Sequence, residues 1–139
     1  EALSRSQLFI YKLKSNGQRS SQVFFAGNGL MTYGSDLLVD SQSRLIVTGV
    51  DLAYSLTDLS KRYYRLINLV YDQNLKLVRT IYGPKVNASF HPIQVYEDSN
   101  KTIHVLGNIS DPSAIHFAHP DYDFFHYKFS NLDEDDSSE

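Results

Sequence analysis

The stretch Asp40-Ser41-Gln42-Ser43-Arg44-Leu45-Ile46-Val47-Thr48-Gly49 returns 58 residues later as Asp98-Ser99-Asn100-Lys101-Thr102-Ile103-His104-Val105-Leu106-Gly107. Each copy reads as a polar turn, an apolar run rich in β-branched residues and a closing glycine, which is the pattern of a strand entered from a tight turn. Self-similarity at a fixed period marks a repeat architecture. Upstream, Lys14-Ser15-Asn16-Gly17 matches Tyr71-Asp72-Gln73-Asn74 at an offset of 57. These segments follow the strand-like runs Leu8-Phe9-Ile10-Tyr11-Lys12-Leu13 and Leu66-Ile67-Asn68-Leu69-Val70, so both are expected to be hairpin turns.

Between those landmarks, Val23-Phe24-Phe25-Ala26-Gly27 answers Thr80-Ile81-Tyr82-Gly83, and Ser35-Asp36-Leu37-Leu38-Val39 answers Pro92-Ile93-Gln94-Val95-Tyr96. Each unit offers four strands, at about 8–62 and 66–120. A third copy begins at Phe124-Phe125-His126-Tyr127-Lys128-Phe129-Ser130-Asn131 and supplies one strand. The expectation is a single all-β module over residues 1–131, followed by an acidic tail at 132–139 that is expected to be disordered. The best helical candidate is Asp51 to Arg62, where Leu52, Leu56 and Leu59 recur near helical spacing. That segment follows the closing Gly49, as Asn108 to Asp123 follows Gly107, and such connections often carry a binding surface.

Composition narrows the function classes. Hydrophobic residues make up 42% of the 139 against 21% charged, enough for a packed core. Thirteen Lys and Arg against sixteen Asp and Glu leave a net charge of −3, so no basic field exists to hold a nucleic acid. With no cysteine there is no disulfide, thiolate nucleophile or Cys-ligated metal. No apolar run approaches the roughly 18 residues of a membrane-spanning helix. The chain begins Glu1-Ala2-Leu3-Ser4 without Met or a signal pattern, as expected of a processed form or a piece of a longer protein. Sequons at Asn87, Asn100 and Asn108 lie beside expected turns and lean the expected location towards the secretory pathway or the extracellular space.

Read together, Phe9 to Gln18, Gly27-Asn28-Gly29, Tyr33-Gly34-Ser35-Asp36-Leu37-Leu38-Val39-Asp40-Ser41 and Leu45-Ile46-Val47-Thr48-Gly49 resemble the repeat of β-propeller proteins, most of all the bacterial-type seven-bladed repeat. The resemblance implies that each unit is one four-stranded antiparallel blade. The second unit departs from it, with Asn74-Leu75 for Asn-Gly, Pro84-Lys85-Val86-Asn87 for the glycine-rich loop and Leu106-Gly107 for Thr-Gly. A closed propeller needs about four to eight blades. Two blades and one strand therefore point to a segment of a longer propeller, to a homo-oligomer, or to a small β-sandwich or barrel.

The chemistry-bearing residues fall in three groups. Three His and two Asp lie in His116-Phe117-Ala118-His119-Pro120-Asp121-Tyr122-Asp123-Phe124-Phe125-His126, and His116, His119, Asp121 and His126 form a candidate metal set for a metal-assisted hydrolase or lyase. The alternative is a solvated loop in which His126 occupies the slot of Asn68. Arg62, Tyr63, Tyr64 and Arg65, with His119 and Tyr122, form a candidate binding surface, because Tyr and Arg offer large contact area with a polar tip. The acidic run Asp133 to Asp136 lacks the central glycine and distal Glu of a calcium loop. No nucleotide loop or nucleophile elbow is present, so the expectation is no cofactor and no assignable catalytic residue. The leading expectation is a non-catalytic binding module with a protein or glycan partner. The second alternative is a structural subunit of a larger complex.

Overall fold

The computed structural model describes residues 6–27, 29, 31–54, 62–86, 89–110 and 122–130. Among them the chain is all-β, with nine strands: β1 (Leu8–Leu13), β2 (Arg19–Phe25), β3 (Met31–Val39), β4 (Leu45–Tyr54), β5 (Arg62–Tyr71), β6 (Leu77–Val86), β7 (Ser89–Glu97), β8 (Ile103–Ser110) and β9 (Tyr122–Phe129). They form three antiparallel sheets ordered β1-β2, β3-β4-β5-β6 and β7-β8-β9, and none closes into a barrel. Asp51 to Tyr54, expected to begin a helical turn, instead ends β4, where Leu52 pairs with Met31 on one side and Tyr64 on the other. Pairing on both edges outweighs the helical spacing of its leucines. Residues 55–61, the rest of that segment, lie outside the described residues.

The middle sheet is the centre of a three-layer stack. Ile46, Leu66 and Val70 on one face pack with Val95, Ile103 and Val105 of the β7-β8-β9 sheet. Val47, Leu69 and Tyr71 on the other face pack with Leu8 and Ile10 of β1. Ile46 to Val50 and Leu66 to Tyr71 are therefore buried continuously, as expected for strands covered on both faces, while β8 alternates because one of its faces is outward. Each fully buried Ile, Leu or Val contributes about 1.5–3 kcal/mol of transfer free energy.

The repeat holds at 58 residues throughout. β3 spans 31–39 and β7 spans 89–97, and the bulge between Gly34 and Asp36 returns between Pro92 and Gln94. The irregularity between Lys12 and Leu13 returns between Val70 and Tyr71. Gly49 and Gly107 occupy one environment twice: a Cβ would lie 2.2 Å from the Tyr33 carbonyl oxygen in the first and 2.3 Å from that of His91 in the second. The offset of 57 expected at the intermediate landmarks is therefore one residue short. Gly34 corresponds to Pro92, Val23 to Ile81 and Gly17 to Leu75. The sheets also cut across the units expected from the propeller resemblance, since the four-stranded sheet takes β3 and β4 from one unit and β5 and β6 from the next.

The short turns repeat a single design. In each, the first residue's N–H donates to the carbonyl four residues on and its own carbonyl accepts from the N–H three residues on, at Lys14, Asp40, Asp72 and Asp98. The fourth residue has positive φ: Gly17 81°, Ser43 63°, Leu75 60° and Lys101 62°. This is a type I turn followed by a left-handed residue, a common three-residue hairpin loop. Where that residue is not glycine, the strain is offset by the leading Asp, whose Oδ1 accepts two backbone N–H groups at 2.8–3.0 Å in all three cases.

Candidate functional site

The topology sorts turns from longer connections. A parallel bridge between Ser6 and Met31 gives β1 the direction of β3. β7 also runs with β3, because Asp36 reaches Val95 and Ser41 reaches Glu97. All four short turns therefore lie at one end of the stack. The strand ends that lead into the β2–β3, β4–β5, β6–β7 and β8–β9 connections lie at the other. The described ends of the two segments expected to hold a binding surface, Asp51 to Tyr54 with Arg62 and Asn108 to Ser110 with Tyr122, are both at this second end.

A buried carboxylate braces that end. Asp51, 5% exposed on β4, accepts the Gly29 N–H at 3.1 Å on each oxygen and the Thr32 hydroxyl at 3.0 Å. Thr32 Oγ1 in turn accepts the Gly27 N–H at 2.9 Å. Gly29 is required by close approach, since a Cβ there would lie 2.3 Å from the Leu52 carbonyl oxygen. The β2–β3 connection is thereby fixed against β4.

Beside this brace stand the aromatic and cationic side chains of early β5. Tyr63, opposite Ala53, is exposed, while Tyr64, opposite Leu52, is half-buried. Burial raises the Tyr33 phenol above its ordinary pKa, and the neighbouring Tyr64 phenol adds to the rise. Arg65 donates from Nε to the Gly83 carbonyl at 3.2 Å, and its guanidinium sits 4.1 Å from the centre of the Tyr82 ring. Strand alternation divides these side chains: Tyr64 lies with Tyr33 on the face of the middle sheet turned to β7-β8-β9, and Tyr63 and Arg65 lie with Tyr82 on the opposite face. Sequence reasoning placed neither Tyr33 nor Tyr82 at this end. Only sheet pairing, such as Tyr82 opposite Ile67, reveals them. Tyr122 begins β9 at the repeat position of Tyr64, but its side chain, that of Arg62 and all of His119 lie outside the described residues.

The expected metal set is only partly in view, because His116, His119 and Asp121 lie outside the described residues. His126, on the outward face of β9, places Nε2 2.7 Å from His104 Nδ1, and His104 Nε2 lies 2.8 Å from Asp98 Oδ2. The two imidazoles are nearly coplanar, 7° apart with centres 5.0 Å apart, as edge-to-edge hydrogen bonding requires. Tyr96 stacks on His104 at 4.8 Å. The result is an Asp–His–His hydrogen-bonded chain on the sheet surface. Three hydrogen bonds, that from His104 largest and the others from the Thr102 and Asn100 N–H groups, hold the Asp98 carboxyl below its ordinary range. Among the described residues, no group of three or more His, Asp or Glu has the geometry to hold a metal ion.

Of the three sequons, Asn100 lies exposed in the β7–β8 turn, Asn108 is half-buried on β8, and Asn87 lies outside the described residues. No helix among the described residues is long and apolar enough to cross a membrane. Comparison of the chain with protein-family models, with curated proteins and with solved structures returns no match.

Proposed function

We propose that this chain is a non-catalytic protein-interaction module built of β-propeller-like blades, whose contact surface is the end of the stack that carries the longer connections. The propeller-like reading is supported by the 58-residue repetition of strands, bulges and turns, by the face-to-face succession of three antiparallel sheets, and by the side-by-side β3 and β7. The observation that carries the functional reading is the aromatic content of that end, with Tyr63, Arg65 and Tyr82 on one face of the middle sheet, Tyr64 and Tyr33 on the other, and Tyr122 at the repeat position of Tyr64. The Asp51 brace holds this end rigid, which lowers the entropy lost on binding.

The test is to probe an array of purified proteins with the fluorescently labelled chain and with its Tyr63→Ala and Tyr64→Ala variants. The expected result is saturable signals on the array that both variants weaken at least tenfold while their circular dichroism stays unchanged. Signals that survive both substitutions, or no saturable signal, overturn the reading.

A further inference from the structure

We propose that His104 and His126 form a surface site for one divalent late transition ion of the Zn²⁺ type, on the outward face of the β7-β8-β9 sheet. The site lies on a different surface from the Tyr63–Tyr64 end and is independent of it. The repeat singles the pair out. At the counterpart positions 58 residues earlier stand Ile46 and Asn68, both fully buried in the middle sheet. Val70, also fully buried there, is answered by the exposed Lys128. On this face, groups that carry lone pairs and protons have replaced residues that pack in a core.

The two histidines are diagonal neighbours on adjacent strands, since His126 pairs with Leu106, two residues from His104. Their rings are nearly coplanar, and His104 Nδ1 meets His126 Nε2 across 2.7 Å. Two contacts preset His104 as a ligand. Tyr96 stacks on its ring at 4.8 Å and 6°, which fixes the ring plane. Asp98 Oδ2, 2.8 Å from Nε2, fixes the tautomer. An ionised carboxylate only accepts, so Nε2 carries the proton and Nδ1 turns its lone pair to the gap between the rings. A carboxylate behind an imidazole is the usual outer support of a metal-bound histidine, setting its orientation and raising its basicity. This carboxylate is itself anchored, because Asp98 Oδ1 accepts the Asn100 and Thr102 N–H groups of the β7–β8 turn.

In the free chain one proton lies between the two rings. Zn²⁺ takes that place: His104 coordinates through Nδ1, His126 through Nε2, and the His126 proton moves to its own Nδ1 through solvent. Tetrahedral Zn–N bonds of about 2.0–2.1 Å set the nitrogens about 3.3 Å apart, so the 2.7 Å gap widens by about 0.6 Å. His126 is exposed and has room to swing by that amount. Water fills the remaining positions. Neutral imidazole favours late transition ions over Mg²⁺ and Ca²⁺, which take oxygen ligands. The charge of Lys128, which stands opposite His104, opposes that of the ion and is offset by the Asp98 carboxylate.

The experiment titrates the full ¹⁵N-labelled chain with Zn²⁺ and follows backbone amides and imidazole nitrogens by NMR. Saturable shifts are expected at His104 Nδ1, at His126 Nε2 and at the Tyr96 amide, complete by about 1 mM Zn²⁺ and absent with Mg²⁺. His104→Gln and His126→Gln should each weaken binding at least tenfold. Asp98→Asn keeps both histidines and the Oδ1 acceptor of the turn, but its amide N–H would occupy His104 Nε2 and drive the ring proton to Nδ1. It too should weaken binding about tenfold or more. Unchanged amide shifts away from the site verify the fold of each variant, and the exposed His126 is the safest of the three to replace. No imidazole shift, or full-strength binding by either glutamine variant or by Asp98→Asn, overturns the proposal. Loss with His126→Gln but not with His104→Gln overturns it in favour of the set His116, His119, Asp121 and His126.

Discussion

Glu97, the last residue of β7, accepts both the backbone N–H and the hydroxyl of Ser41, at 2.7 and 2.8 Å. Ser41 belongs to the turn after β3, in a different sheet, so one carboxylate joins two sheets that share no ladder. Asp36 does the same a few residues away, accepting the Val95 N–H at 2.8 Å. The repeat counterparts of Asp36 and Glu97 are Gln94 and Val39, so these ties belong to one sheet junction and are not copied at the other.

Glu97→Ala is expected to lower unfolding free energy by about 1 kcal/mol, the scale of a partly exposed charge-assisted hydrogen-bond pair. In a double-mutant cycle with Ser41→Ala, measured by chemical denaturation, the two losses should fall well short of adding. Additive losses would mean that the contact contributes nothing.

Thr48 and Asn68 face each other across β4 and β5, fully buried, and the Thr48 hydroxyl and both Asn68 amide atoms have no hydrogen-bond partner among the described residues. Removing a buried polar atom without a partner relieves a desolvation cost. Thr48→Val, which keeps the shape, is expected to raise stability by about 1 kcal/mol. A loss of that size in thermal unfolding would instead show that an internal water satisfies the pair.

Two of the three non-glycine turn residues, Lys101 and Leu75, share a positive φ but not an environment. Lys101 is exposed, whereas Leu75 is buried with Leu69 and Tyr71. Lys101→Gly should stabilise by about 1 kcal/mol through relief of left-handed strain. Leu75→Gly should destabilise by about 2–3 kcal/mol, because lost burial exceeds the relief. Equal effects at both sites would count against this account of the turns.

Asp98 makes stability depend on pH in one direction. Its folded pKa lies below its ordinary value of 3.8, with the His104 hydrogen bond as the largest cause. Its contribution is thus present above the ordinary carboxylate range and is lost as pH falls through the lowered folded pKa. Asp98 is only half-buried, so the effect should be small and weakened by salt. His104→Gln should move the Asp98 carboxyl titration, followed by ¹³C NMR, back towards 3.8. An unmoved midpoint would remove His104 as the cause.

Much of the architecture is legible in residue order. Alternation in Ile103 to Ser110 and the Ser, Asn and Asp turns specify strands and hairpins locally, through backbone preference and side-chain capping. The match of Asp40–Gly49 with Asp98–Gly107 carries the correct period, because turn, strand and glycine are all kept. The alignment of the landmarks before Asp40 runs one residue short, because at the true counterparts Leu75 stands for Gly17 and Pro92 for Gly34, so residue type misleads there. A one-residue slip exchanges the two faces of a strand, so burial is what sets the register.

The site was less legible. Tyr63, Tyr64 and Arg65 stand out as neighbours in the chain, but Tyr33, Tyr82 and the buried Asp51 join them only through pairing between strands distant in sequence. His126 is visible as one histidine of a loop cluster, yet its contact with His104 depends on the register of β8 against β9. The sequence by itself determined an all-β chain with a 58-residue period and Asp-capped turns, because those features arise from contacts within a few residues. Only the tertiary structure decided where one sheet ends and the next begins, and which faces are covered. Those outcomes depend on hydrogen-bond partners and packing faces supplied by strands far away along the chain.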